Sequence, residues 1–329
     1  MSLTTPRLEL EPFEYPQFYD YWMRHQQNYW NHTKIKFEQD VYDWQFKLTE
    51  AQKQLVGHTL KGFSQLELVI AKEYWSSKPV VWFPKPEITL MCLEFAAREG
   101  IHAISYSQVD TNLGLKDYKA FLQDPTVKAK LDYLVDLPGK TKEEKAISLA
   151  AFSGFSERVS LFSQFAILWN FSRFDLLPGI GALINYSVLD ESEHGDAGCE
   201  LFRIFATEEK LYTQQIKKEI YDAARISVQL EDDYLDKAFL FGDVPGLTKH
   251  QLKQFIRARA NESLNLLGLK DNWKNIDKPA FEEIDSWFTA KASGEKDVDT
   301  FVRRGTGTYA KGLIDMSTMW EGNERNETK

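Results

Sequence analysis

The stretch Arg98-Glu-Gly-Ile-His-Ala-Ile-Ser-Tyr106 (REGIHAISY) sets Glu99, His102 and Tyr106 three and four residues apart. On a helix these three side chains share one face. Phe95 falls on the same face, so the stripe points inward. A carboxylate, an imidazole and a phenol on a buried stripe need a reason, because an unpaired buried carboxylate is costly. The second half of the chain repeats the pattern. Of the six histidines, His102 and His194 have a glutamate three positions earlier, Glu99 and Glu191. A Glu and a His spaced i, i+3 on one helical face can share a metal ion.

Two such motifs leave a metal pair under-coordinated. Four-helix bundles that hold two iron or manganese ions supply a further glutamate from each of two other helices. Two glutamates fit that place. Glu67 is aligned with Leu60, Phe63, Ile70 and Tyr74. Glu157 is aligned with Phe152 and Ser153 before it and with Leu161, Gln164 and Phe165 after it. Four helices would then contribute Glu67; Glu99 and His102; Glu157; Glu191 and His194. Two divalent ions would neutralise the four carboxylates. A structural zinc site favours Cys and His in tetrahedral sets, whereas this donor set suits iron or manganese.

The rest of the chain agrees with an all-α fold. Apolar residues recur at helical spacing over roughly 12–30, 48–77, 86–111, 116–134, 142–172, 179–206, 209–235, 249–268 and 278–292. Pro86 stands where a first-turn proline opens the helix of the quoted stretch. Alternating strand patterns with hairpin turns are absent. From Ser293 onward the composition becomes polar and rich in Gly and Thr, with Phe301, Tyr309 and Trp320 as isolated aromatics. The expected organisation is a helical domain over 1–292 and a flexible tail over 293–329.

With 329 residues, 43% of them hydrophobic, the chain can bury a large core. A net charge of −9 argues against a nucleic-acid partner. Two cysteines, Cys92 and Cys199, do not make a disulfide framework and suit a reducing compartment. The N-terminus lacks a basic region followed by an apolar run, and no stretch has the ~20 apolar residues of a membrane span. A soluble, cytoplasmic protein is expected.

On these residues the chain resembles the small, radical-generating (β) subunit of class I ribonucleotide reductase, a ferritin-like bundle with a dinuclear metal site. The likeness runs from the first helix to the tail. It implies a redox-active tyrosine four residues after the first motif's histidine, the place of Tyr106. It implies an aspartate before the second motif's glutamate, which is Asp190, and an N-terminal tryptophan on the radical path, which is Trp30 in NYWNHTK. It also implies a tail tyrosine that relays the radical to the large (α) subunit, which Tyr309 in GTGTYAKGLID matches. Many members have Asp where this chain has Glu67. Glu there resembles the groups that use manganese, alone or with iron, so two manganese ions are favoured over di-iron or a mixed pair. All six ligands are present, unlike in the family's metal-free group. The resemblance further implies a homodimer that docks through its tail on the large subunit, where ribonucleotides are reduced. The alternatives are a stand-alone oxygenase or desaturase of the same bundle type, and a ferritin-like storage protein.

Overall fold

The computed structural model describes residues 2–292. The expected tail, including Tyr309, lies outside the described residues. The chain runs α1 (Pro16–Gln27), α2 (Glu38–Phe46), α3 (Glu50–Ile70), α4 (Pro79–Trp82), α5 (Pro86–Leu113), α6 (Tyr118–Leu122) and α7 (Pro125–Val135). It continues through α8 (Lys142–Ala151), α9 (Leu161–Ser172), α10 (Pro178–Glu208), α11 (Gln214–Ala238), α12 (Lys249–Leu266) and α13 (Lys278–Ala292). The described residues contain no strand, and their one bridge pairs Val244 with Leu247.

Local chemistry sets most boundaries. Thr49 and Gln52 form a reciprocal capping box at the start of α3, as Thr141 and Glu144 do at α8. Pro86 opens α5, and Gly114 ends it in the left-handed conformation (φ 70°), which glycine adopts at little cost. The segment expected as one helix over 116–134 breaks at Asp124–Pro125, because proline disfavours helical geometry in the residue before it. Asp124 then caps α7 through Thr126 N–H.

The pattern-based reading has no helix over 38–46. In α2 the buried positions are Asp40 and Asp43 rather than an apolar stripe. Their work is distant. Asp40 accepts from the backbone N–H groups of Gly179 (2.8 Å) and Ile180 (2.7 Å), and Asp43 from Leu177 N–H (3.0 Å). Together they satisfy the orphan donors at the start of α10.

The core bundle is α3, α5, α10 and the long rod from α8 to α9; α3 lies along α5, and α10 packs against the rod. Two of these rods are not uniformly α-helical. A π-helical turn, Ala71–Trp75, extends α3, and a π-helical segment, Phe152–Ser160, joins α8 to α9. Such segments concentrate at functional sites. The second one presses closely on α10. A Cβ at Gly198 would collide with Ser153 Oγ and sit 2.5 Å from Ser153 Cβ. A Cβ at Gly195 would collide with Arg158 Cγ.

Candidate metal centre

The structure brings all six acidic and histidine candidates to one place in the middle of the bundle. Glu67 reaches in from α3, Glu99 and His102 from α5, Glu157 from the π-helical segment, and Glu191 and His194 from α10. All are buried. They form two overlapping groups of four, Glu67–Glu99–His102–Glu191 and Glu99–Glu157–Glu191–His194, with donor atoms within 4.8 Å of one another in each. Glu99 and Glu191 belong to both groups. His102 Nδ1 lies 2.8 Å from Glu191 and 3.2 Å from Glu99, and His194 Nδ1 lies 2.9 Å from Glu191 and 3.0 Å from Glu99.

The donor set fits a metal pair on an observation of its own. Glu67 Oε2 and both oxygens of Glu157 are buried with no hydrogen-bond partner. Buried polar atoms are ordinarily satisfied, so a cluster of orphans facing one point calls for a ligand. The electrostatics agree. Burial, with Glu99 and Glu191 alongside, pushes Glu67 well above the usual carboxylate range, and burial with Glu191 and Glu99 does the same to Glu157. Burial would also raise Glu191, but His194 and His102 outweigh it and hold its carboxyl well below that range.

Around this cluster sits a second layer. His102 Nε2 faces Asp190 Oδ2 at 3.0 Å, which orients the ring so that Nδ1 points at the carboxylates. The same Asp190 oxygen accepts from the Trp30 indole N–H at 2.8 Å. Trp30 is buried, lies 5.7 Å from the His102 ring and stacks on Tyr186 at 5.0 Å. Burial would raise the Asp190 carboxyl, but its hydrogen bond to His102 and the nearby charges hold it below the usual value.

Tyr106 is fully buried, and its phenol donates to Ser187 Oγ at 2.9 Å. Burial first, and Glu67 next, push its ionisation well above the ordinary range, so the phenol keeps its proton at rest. Phe63 stacks on Tyr106 at 4.5 Å and on Phe165 at 5.1 Å. Leu161 and Phe165 are buried, as expected of residues that keep water out.

Three neighbours escape the pattern reading. Ser187 carries no motif. His25 stacks on His194 at 5.1 Å, and burial, with His194 beside it, pushes it down to about 3, so its ring is neutral. Arg98, inside the quoted stretch itself, is completely buried. Arginine is almost never fully buried unless paired, and here two of its partners, the His25 carbonyl and Asp190, come from other helices.

A helical bundle with paired Glu/His helices at its centre defines the ferritin-like class of dinuclear carboxylate proteins. Residues 7–279 match the family model for the ribonucleotide reductase small chain. The chain is 32% identical over 300 residues to "Probable ribonucleoside-diphosphate reductase small subunit 048L" of Invertebrate iridescent virus 3, covering 85% of this chain and 79% of that one. The chain belongs to the ribonucleotide reductase small-chain family, and its activity is that of the radical-generating subunit of ribonucleoside-diphosphate reductase. Solved structures with the same fold include the R2 subunit from Clostridium botulinum, with TM-score 0.76, 16% identity and coverage of 89% of this chain and 94% of that one. Another is the dimanganese(II)-NrdF of Streptococcus sanguinis, with TM-score 0.69, 20% identity and coverage of 85% and 99%. No helix among the described residues is long and apolar enough to cross a membrane.

Proposed function

We propose that the six converging side chains hold a dinuclear metal centre whose oxidising equivalent is delivered through Trp30 and Tyr309 to a cysteine of the large subunit. The observation that carries this reading is the pair of overlapping four-donor groups that share Glu99 and Glu191. Glu67 and His102 would help hold one ion and Glu157 and His194 the other, with Glu99 and Glu191 belonging to both donor groups. When bound, the metal pair supplies a one-electron oxidant, and two manganese ions are the favoured content on the strength of Glu67.

The chain's own residues do the rest. Asp190 fixes the His102 ring and holds the Trp30 indole proton on the same oxygen, coupling the site to the N-terminal segment. Phe63, Phe165 and Leu161 exclude water and stray reductants. Tyr106 stands beside Glu67 as the candidate radical carrier, with Ser187 holding its phenol in place. The helical domain spans 1–292, and 293–329 serves as the tail that docks on the large subunit. A homodimer agrees with α5, which leaves Leu93 and Ile104 exposed on one face. The cytoplasm suits two cysteines that remain free and buried.

Removing residues 293–329 tests the route. Ribonucleotide reduction with the large subunit is expected to vanish while metal content stays at two ions per chain. Activity that survives the truncation refutes the tail relay. Elemental analysis with electron paramagnetic resonance identifies the metals. A phenoxyl signal that disappears in Tyr106→Phe puts the radical on the tyrosine, and a coupled manganese signal without it leaves the oxidant on the ions.

A further inference from the structure

Arg98 is an unexplained charge. Its side chain is 0% exposed, although arginine is seldom buried without full pairing. Nη2 donates to the carbonyl of His25 at 2.7 Å and to Glu94 Oε1 at 3.2 Å. Nε lies 3.7 Å from Asp190 Oδ2, the oxygen that also receives the Trp30 indole and faces His102. The guanidinium carbon sits 5.3 Å from the centre of the Tyr29 ring. Nε and Nη1 have no hydrogen-bond partner.

These contacts share one feature. The His25 carbonyl is in the last turn of α1, and the chain leaves that helix through Asn28 directly into Tyr29 and Trp30. Arg98 therefore grips the segment that carries Trp30 at two points, one backbone and one aromatic. It also approaches the carboxylate to which Trp30 is bonded. The planar fork of arginine can address several acceptors in fixed directions, and a lysine ammonium cannot reproduce that geometry.

We infer that Arg98 is a positioning residue for long-range electron transfer: it clamps residues 28–31 so that Trp30 stays on Asp190 and against His102. The inference rests on the reading of Trp30 as the exit from the centre. In that transfer one electron moves inward from Trp30 and one returns to it from the large-subunit side. The indole proton stays on its hydrogen bond to Asp190 throughout. The role of Arg98 is geometric, because a misplacement of about 1 Å away from the chemistry can cost on the order of 100-fold in rate.

The test uses full-length Arg98→Met, Arg98→Lys and Trp30→Phe. In metal-free protein, amide hydrogen exchange over 28–31 is expected to quicken about tenfold or more in Arg98→Met, with α11 unchanged. In metal-loaded protein, kcat with the large subunit is expected to fall about tenfold or more. The spin signal of the stored oxidant and the large-subunit concentration for half-maximal rate should stay the same. Arg98→Lys should fall between the two, and it carries the same comparison if Arg98→Met does not fold. A purely architectural role would lower metal content and subunit affinity along with kcat. Unchanged exchange over 28–31, or a kcat loss matched by loss of the spin signal, overturns the inference. If Trp30→Phe retains full turnover, the Trp30 route itself is wrong; the exchange result separates that failure from failure of the clamp.

Discussion

Gly198→Ala is the substitution whose effect follows most directly from the geometry. Gly198 lies one turn beyond His194 on the ligand face of α10, and Ser153 lies one turn before Glu157. An added methyl would sit 2.5 Å from Ser153 Cβ, whereas carbon atoms in contact settle at about 3.5–4.0 Å. Ser153 is short and has no distal end to swing away, so α10 and the π-helical segment must separate by about 1 Å. Overpacking of this kind costs about 1–3 kcal/mol, and the better helix propensity of alanine returns up to about 1 kcal/mol. The fold should therefore survive with a lower melting temperature. The metal site should suffer more, because ligand distances hold only within about 0.2 Å and Glu157 and His194 sit on the two parts driven apart. The expected result is a loss of about 10–100-fold in affinity for the ion between Glu157 and His194, with the Glu67–His102 position retained. Metal analysis after competition with a chelator reads this as a fall from two ions per chain toward one. If Gly198→Ala keeps two ions at unchanged affinity, helix separation does not set the cage and the reasoning fails.

Other expectations are more compact. Asp190→Asn should lower turnover by about 10–100-fold without emptying the site, because a neutral amide oxygen holds the Trp30 and His102 N–H groups more weakly than the charged carboxylate does; metal content beside kcat checks it. Burial pushes His58 down to about 4, from 6.5 in an unfolded chain. A histidine held neutral on folding leaves stability intact above pH 6.5 and removes up to about 3 kcal/mol as pH falls to 4. Urea denaturation at pH 7 and pH 4.5 should show a smaller acid loss in His58→Leu than in the unsubstituted protein, and equal losses would contradict it. Asp40→Ala strips the cap from α10 and should cost about 0.5–2 kcal/mol in the same assay.

The ligand cage was readable because its spacing is local. A Glu and a His three residues apart need only one helix to meet, and the repeat at Glu191 and His194 identified the first pair as more than chance. Glu67 and Glu157 were readable as charges on apolar stripes. Arg98 and His25 were not, because their neighbours come from α1, α5 and α10, and no spacing within one helix announces such a crossing. Ser187 has the same difficulty, being one serine among many until Tyr106 is seen to point at it. Helix α2 was missed because its inward face caps another helix with aspartates instead of packing leucines. The pattern over 142–172 reads as one uniform helix because every residue from Phe152 to Val159 is buried, so the change of phase at the π-helical turn leaves no polar face to mark it.

That turn has a consequence for comparing relatives. A turn closed by i→i+5 bonds carries an added residue, and each added residue rotates everything beyond it by about 100° relative to a plain α-helix. Between Phe152 and Ser160 the chain thus holds what amounts to an insertion packed inside a helix, with Glu157 riding on it. Deleting one residue there would leave every donor type in place and turn the Glu157 carboxylate away from its partners. Alignments drawn without gaps through this segment will match letters while misplacing side chains, and the phase of the helix decides which glutamate is the counterpart of which.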